Sequence, residues 1–596
     1  MEFQQENWLR EIDLYFAKFM AELSEGSKEV FIASLLLSKA TGDGHVCLDL
    51  SEVAGKEGSF FIKGLNRYET IRYPKLKDWI DALLSSNVVG RPGEYKPLIL
   101  DDKFRLYMYR YWRYEDILIQ ELKKRVLRRK EIPDLSILRR FLNCIFSENN
   151  YMDSQVISSL IPIFSFFCVI TGGPGTGKTS AVVKILSLLI AVYKLKKIFL
   201  SAPTGKASAR LKQAVSYLKQ ELKIDSSIKD IIPTDSFTIH RMLGYMPSSS
   251  SFLYNSENKL SADVVVVDEA SMVDLPLMSK LMQALPEDAT LIILGDKDQL
   301  SSVEPGSVLG DICAGATGFP SFIKDEYNWK GRLDDCIVEF RKSYRFDERS
   351  GIYLLSQAIN KGEKEKVIDI LINKTYSDIS FKKLPRPEAL KKCLEEIVLR
   401  EYSSYLKTKD PYEAIMRFES FRILCPIRWG NYGVRHINSL VEQILQEHLL
   451  IYPNNVWYPG RPILITENSY ELGLFNGDIG IIMEDPDSGD IRAFFIDPDG
   501  NIRKFLPIRL PAHETVFAMT VHKSQGSEFD NILFILPDIY TPVITRELIY
   551  TAVTRAKKFV EIWGTLNVIE KGVDSKLKRS SGLRDALWTN CGNYAV

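Results

Sequence analysis

The run Gly172-Gly173-Pro174-Gly175-Thr176-Gly177-Lys178-Thr179 has the spacing G-x-x-x-x-G-K-[ST], which is chemistry for holding phosphates. Glycines let a backbone fold round an anion without Cβ clashes. The loop N–H groups and the positive end of the following helix then face that anion. Lys178 is placed to reach the β- and γ-phosphates, and the Thr179 hydroxyl to ligate Mg²⁺. A second element, Val264-Val265-Val266-Val267-Asp268-Glu269, ends a four-valine run in two acids. Such acids are costly to bury unless they work. Asp268 can hold Mg²⁺ through water, and Glu269 can polarise an attacking water as general base. A third apolar run, 291–295, leads into Asp296-Lys297-Asp298-Gln299-Leu300. The Gln299 amide suits a sensor of the γ-phosphate or its neighbouring water, and equally an ordinary turn.

These groups need strands that end at a common edge. Short apolar runs at 166–171, 198–202, 264–268 and 291–295 alternate with helix-like stretches such as 180–193 and 206–222. That is the βαβ rhythm of a parallel sheet covered on both faces. A second alternating region begins near 340, with candidate strands at 423–426, 518–521, 532–535 and 560–562. Within it, 457–507 carries hairpin signals, Asp485-Pro486-Asp487-Ser488-Gly489-Asp490 and Asp497-Pro498-Asp499-Gly500, flanked by apolar alternation. This predicts a small β-barrel inserted into the second α/β domain. The rhythm also breaks at 244–263, a small loop or hairpin insertion. Residues 1–125 read as mostly helical, from Trp8, Ile12, Tyr15, Phe16 and Phe19 at helical spacing. The domains expected are 1–125, 126–340, 341–456 with 508–596, and 457–507. The basic cluster at 123–130 reads as a solvated helix face or as a contact for nucleic acid or a partner.

The chain has 596 residues, 45% hydrophobic and 26% charged, which excludes a largely disordered or collagen-like protein. Lys plus Arg and Asp plus Glu both total 77. A protein that coats nucleic acid through bulk positive charge is therefore not expected, while a local basic groove remains open. The eight cysteines are scattered with no C-x-x-C pair, which argues against a zinc ribbon or a local iron–sulfur cluster and fits a reducing cytoplasm. Met1-Glu2-Phe3-Gln4-Gln5-Glu6 lacks the basic start of a signal peptide. The uncharged stretch 154–177 is apolar only over 160–170, too short for a membrane span, and reads as a buried helix end and a buried strand.

From about 145 onward the chain resembles superfamily 1 helicases of the 5′-to-3′ branch. The resemblance is carried by ordered blocks: 172–179, Ala202-Pro203-Thr204-Gly205-Lys206-Ala207, Thr238-Ile239-His240-Arg241, Asp268-Glu269-Ala270-Ser271-Met272-Val273-Asp274, 295–300, Tyr344-Arg345, Thr520-Val521-His522-Lys523-Ser524-Gln525-Gly526-Ser527-Glu528 and Tyr550-Thr551-Ala552-Val553-Thr554-Arg555-Ala556-Lys557. Three further segments, 42–48, 302–312 and 581–588, resemble the RecD subunit of the RecBCD enzyme, exodeoxyribonuclease V alpha. The resemblance implies two RecA-like P-loop domains, a helical N-terminal partner-interaction domain and an SH3-like barrel at 457–507. It implies an ATP- and Mg²⁺-dependent DNA helicase, with single-stranded DNA and RecB-like and RecC-like chains as partners. It further implies an adenine-reading role for Gln155, arginine contacts to the γ-phosphate from Arg345 and Arg555, and DNA contacts from Thr204, Lys206, Thr238, His240, Thr520, His522 and Lys523.

Two other readings stay open: a stand-alone helicase of the same branch, and a P-loop ATPase that acts as a switch or clamp without translocating. No nuclease constellation is evident. Asp497 and Asp499 sit in a turn signal, and a nuclease site is expected on another subunit.

Overall fold

The computed structural model describes residues 8–62, 67–131, 135–146, 153–222, 224–246, 249, 251–323, 329–373, 375–469, 471–497 and 499–589. The readings of residues 1–6, of 247, 248 and 250 in the first insertion, and of Pro498 lie outside them. The first α/β lobe is a six-stranded, all-parallel sheet. Its strands are β1 (Phe167–Gly172), β2 (Ile198–Ala202), β3 (Ser236–Thr238), β4 (Val264–Val267), β5 (Thr290–Gly295) and β6 (Ile337–Phe340). They lie in the order β3-β2-β4-β5-β1-β6. All four valines of β4 are fully buried between β2 and β5, as expected of a central strand covered on both faces. The uncharged stretch is helix Ser154–Phe164 followed by β1, both buried.

The second lobe is a five-stranded parallel sheet of β7 (Ile379–Lys383), β8 (Phe421–Cys425), β9 (Ala518–Thr520), β10 (Phe529–Ile535) and β11 (Ala556–Gly564), in the order β7-β11-β10-β8-β9. Between β8 and β9 the chain forms a separate antiparallel sheet. Its strands are Ile502–Phe505, Ile491–Ile496, Ile479–Glu484, Pro462–Ile465 and His513–Thr515, in that order. This sheet has a small core of its own around Ile463, Ile465, Ile482 and Phe495. Its last strand lies beyond residue 507. In the first lobe, an antiparallel bridge from Tyr245 to Phe252 helps pin the insertion.

The N-terminal region is mainly helical, as expected, with small sheets among its helices. Helices Glu11–Leu23 and Lys28–Gly42 pack with two small sheets. One sheet has strands Trp8–Leu9, Glu57–Ile62 and Arg67–Arg72, and the other Leu48–Asp49, Arg105–Met108, Leu98–Leu100 and Val89–Gly90. Most of these strands have only two to four residues, a short window for alternation to register. The basic cluster divides: Lys124, Arg128 and Arg129 are exposed, as a solvated face would be, whereas Arg125 and Lys130 are buried. Helix Tyr109–Leu127 packs on the first lobe, and Arg125 is buried, donating to Ala289 O (2.6 Å) and Pro286 O (2.8 Å). Lys130 is buried too, donating to Pro162 O (2.8 Å) and Thr290 Oγ1 (2.6 Å). Two of these cations thus satisfy carbonyls at the lobe's edge, where an unpaired acceptor would be costly.

After the second lobe the chain returns to the first. Helix Leu583–Trp588 buries Leu583 and Leu587 in the first lobe's core. The three distant segments singled out in the sequence meet here. Gly306 N donates to Gly44 O (3.1 Å), Val46 N to Ser580 O (2.9 Å), Ser581 Oγ to Asp311 (2.7 Å) and Trp588 Nε1 to Asp311 O (3.1 Å).

Candidate nucleotide site and nucleic-acid face

Loop 172–177 leaves β1 and runs into helix Lys178–Tyr193. Gly175 (φ 74°) and Gly177 (φ 83°) adopt the left-handed conformation that glycine permits. Thr176 Oγ1 donates to Gly173 O (2.8 Å). Lys178 Nζ folds back over the loop and donates to Gly172 O (2.6 Å) and Gly173 O (3.0 Å). Thr179 lies in the first turn of the helix, and Pro174 in the loop's bend. Gln155 is beside this helix: its Oε1 accepts from Lys184 Nζ (2.8 Å), and its amide nitrogen borders Gly177.

Asp268 and Glu269 follow β4 into the same cleft. Glu269 has φ 51°, a strained conformation for a non-glycine residue, and its N–H donates to Asp268 Oδ1 (2.8 Å). Asp268 keeps some surface open to the cleft, yet its charge sits deep in the protein. Burial first, and then the neighbouring Glu269 charge, push its pKa up to about 6. A carboxylate in that condition fits a divalent cation, because a bound cation removes the penalty. Asp296, at the end of β5, is raised by burial. It accepts from Gln299 Nε2 (2.9 Å) and from Tyr550 Oη of the second lobe (2.9 Å).

The facing wall comes from the second half of the chain. Tyr344 N donates to Gly175 O (2.8 Å), and Arg345 packs against Gly175 so closely that a Cβ there would overlap its own. Arg345 Nη2 donates to both oxygens of Glu528 (2.8 Å each), while its buried Nη1 has no acceptor among the described residues. Arg555 is only 2% exposed, and burial lowers its pKa. Its Nη2 donates to Gln299 Oε1 (2.5 Å) and its Nη1 to Ser527 O (3.1 Å). The seam is further closed by Leu300 N to Thr551 Oγ1 (3.0 Å) and Gln525 Nε2 to Leu300 O (2.7 Å). Lys178, Asp268, Glu269, Gln299, Arg345 and Arg555 therefore share one cleft.

Sequence reasoning assigned no role to three residues at this cleft. Arg210, from helix Gly205–Glu221, pairs with Glu528 and feels the charges of Glu269 and Asp268. Burial alone would raise Glu528, but Arg210 and Arg345 outweigh it and hold its pKa at about 2. Tyr344 is 59% exposed, with its ring edge over Gly177. Glu528 and Tyr344 stood inside quoted motif blocks. Arg210 stood on a helix of alternating Lys, Ala and Ser, where nothing distinguishes it from a surface cation.

The candidate nucleic-acid contacts lie at or just past the carboxyl ends of β2, β3 and β9. Thr204 and Thr238 cap helices, accepting from Ala207 N and Arg241 N (3.2 Å each). Thr520 accepts from Lys523 N (3.3 Å). Lys206 is paired with Glu419 across the seam (3.0 Å), and Lys523 with Glu514 (2.6 Å). His240 lies edge-on to Tyr245 and Phe252, and burial lowers its pKa. His522 is lowered by burial and by nearby Arg579. Asp499 pairs with Lys212 (2.5 Å), and Asp497 accepts turn N–H groups from Asp499 and Asn501.

Three family models match the chain: an AAA domain over residues 163–305, the N-terminal domain of RecBCD enzyme subunit RecD over 5–107, and a UvrD-like helicase C-terminal domain over 515–561. The RecBCD enzyme subunit RecD of Haemophilus influenzae is 34% identical over 87% of this chain and 85% of its own length. The chain belongs to the RecD family. The RecD subunit of Mycobacterium tuberculosis H37Rv is 33% identical over 99% of this RecD-family chain and 97% of its own. A solved structure of the Bacteroides Pif1 helicase with ADP-AlF3 and ssDNA covers 72% of the chain and 92% of its own, at 17% identity and a TM-score of 0.35. Among the described residues of the RecD-family chain, no helix is long and apolar enough to cross a membrane.

Proposed function

We propose that this chain is an ATP-dependent DNA helicase that moves 5′-to-3′ along single-stranded DNA, as motor subunit of a RecBCD-type helicase–nuclease in break repair and recombination. The observation that carries the reading is the seam. A phosphate cradle on one lobe is faced by a cationic wall from the other, and beside the cradle Arg345 keeps a buried N–H without an acceptor among the described residues. Only a strongly anionic ligand answers that arrangement.

Loop 172–177 and Lys178 would hold the phosphates, and Gln155 the adenine edge. Mg²⁺ would be held by Thr179 and, through water, Asp268, and would supply charge neutralisation on the phosphates. Glu269 would orient and deprotonate the attacking water. Gln299 would sense the terminal phosphate, while Arg345 and Arg555 neutralise the transferring group. Both lobes touch the terminal phosphate only when the cleft is closed, so binding favours closure and hydrolysis releases it. Thr204, Lys206, Thr238 and His240 on one lobe, and Thr520, His522 and Lys523 on the other, would grip the DNA alternately. In this reading residues 1–125 dock RecB-like and RecC-like partners, the chain works in the cytoplasm, and the antiparallel sheet after β8 is an SH3-like barrel on the DNA path. The domains are taken as 1–125, 126–340, 341–456 with 508–596, and 457–507, and the nuclease site belongs to another subunit.

A strand-displacement assay on duplexes with a 5′ or a 3′ tail, using the chain co-expressed with its RecB- and RecC-like partners, tests the reading. Unwinding that needs the 5′ tail and is lost in Lys178→Gln is the expected result. ATP turnover stimulated by single-stranded DNA without displacement would instead favour the non-translocating switch.

A further inference from the structure

Trp429 is 56% exposed. It sits in the tight loop that leaves β8, held by Gly433 N to Gly430 O (3.0 Å), Val434 N to Ile427 O (3.1 Å) and Arg435 N to Arg428 O (3.2 Å). Gly430 turns the chain at φ 88°, and a Cβ at Gly433 would strike the backbone of Trp429. The loop is therefore built to one shape. One face of the indole is covered by the Arg435 guanidinium, 3.8 Å from the ring centroid, and the remaining exposure leaves the ring open to solvent. A tryptophan placed for packing would be buried, whereas this one is backed by a cation and offered outward.

Its neighbours say what the ring faces. β8 runs parallel to β9, with Cys425 opposite Thr520, so both following loops leave the same edge of the sheet. Ligands of parallel sheets collect outside the carboxyl ends of the strands. Arg428, beside Trp429, and Lys523, just past Thr520, pair with the same acid, Glu514 (2.8 and 2.6 Å). The indole thus stands next to the candidate phosphate-gripping loop, within one charged cluster.

We propose that Trp429 is a stacking platform for a base of single-stranded nucleic acid, with Arg435 fixing the ring from behind and the loop at 520–523 holding the adjoining phosphates. Stacking on an aromatic face is sequence-tolerant, because every base has a π-face, as a translocating motor requires. This rests on the nucleic-acid reading above and adds a named base contact to it.

The test is equilibrium binding of a fluorescently labelled oligothymidine to the full chain at fixed salt, paired with the same oligonucleotide carrying abasic sites. Trp429→Ala is expected to bind the oligothymidine roughly 5- to 150-fold more weakly, the range of one lost base stack. Trp429→Phe should recover most of the affinity. The abasic oligonucleotide should bind wild type and Trp429→Ala alike, since it offers no base to stack. Wild-type affinity for oligothymidine in Trp429→Ala would overturn the proposal and leave the nucleic-acid reading standing. Equal losses on normal and abasic DNA would overturn it as well, because they signal a damaged loop or a surface for a protein partner. A wild-type chain that binds neither oligonucleotide would remove the nucleic-acid reading itself.

Discussion

The nucleotide seam and the nucleic-acid face use similar residues in opposite electrostatic settings. At the seam the charges are desolvated, and their neighbours move them far: Asp268 up to about 6, Glu528 down to about 2. On the face, Lys206 and Lys523 are half-buried and each holds an acid, Glu419 or Glu514, that a phosphate can displace. Desolvated charges make strong, directional contacts and a site that switches with one ligand. Partly exposed ion pairs are weaker and more exchangeable, which suits a strand that must be gripped and released at every step. The charges of the seam thus sit drier than the ion pairs of the track.

The largest effect should come from breaking the drier side. Arg345→Ala removes the guanidinium facing the cradle, and kcat for ATP in the presence of single-stranded DNA should fall about 10³-fold, the usual worth of such an arginine. Steady-state turnover at saturating ATP reads it, and a loss under tenfold would place Arg345 outside the chemistry. Next, Lys178→Gln should lower turnover roughly 100-fold or more while DNA affinity stays near wild type, measured on the same preparations.

Two neutral substitutions sharpen the contrast through pH. In the nucleotide-free chain Asp268 carries a raised pKa, so its charge costs stability above pH 6 and nothing below about pH 4. Asp268→Asn should therefore raise stability at pH 7, by on the order of 2–3 kcal/mol, with the gain fading as the pH falls through that window. Glu528 is depressed, so its contribution is complete above its unfolded value near 4.5 and is lost toward pH 2. Glu528→Gln should cost a comparable amount at pH 7, on the order of 2–3 kcal/mol, and nothing at the acid end. Thermal melts across pH distinguish the two, and shifts of the same sign would contradict the proposed electrostatics.

The smallest effects belong to the track. Lys206→Ala and Lys523→Ala should each weaken single-stranded DNA binding a few-fold and reduce the slope of log affinity against log salt by about one. Titrations at several salt concentrations check this. An unchanged slope would take the lysine off the phosphate path.

Much of the seam was legible in sequence because its chemistry is written in contiguous runs. The cradle, the acids after β4 and the cluster after β5 all sit at strand ends, where apolar runs stop abruptly. Strands β1, β2, β4 and β5 could be found because a fully buried parallel strand is a solid apolar block, as the four valines of β4 are. Arg210 was not legible: its partner Glu528 is more than 300 positions away, and only folding makes them meet. The same holds for Arg125 and Lys130, cations whose partners are backbone carbonyls and so carry no sequence signature. The small N-terminal sheets escaped because strands such as Leu48–Asp49 are too short to show a period. Trp429 was invisible as a site because an isolated tryptophan reads as core until its exposure is known.

The most direct test of the two-lobed clasp is a structure of the chain with Mg²⁺ and a non-hydrolysable ATP analogue. The account predicts Arg345 Nη1 and the Arg555 guanidinium within hydrogen-bond reach of the terminal phosphate, about 2.7–3.2 Å, while Lys178 has left the carbonyls of Gly172 and Gly173. A terminal phosphate contacted by residues 172–179 alone, with both arginines still held by Glu528 and Gln299, would contradict it.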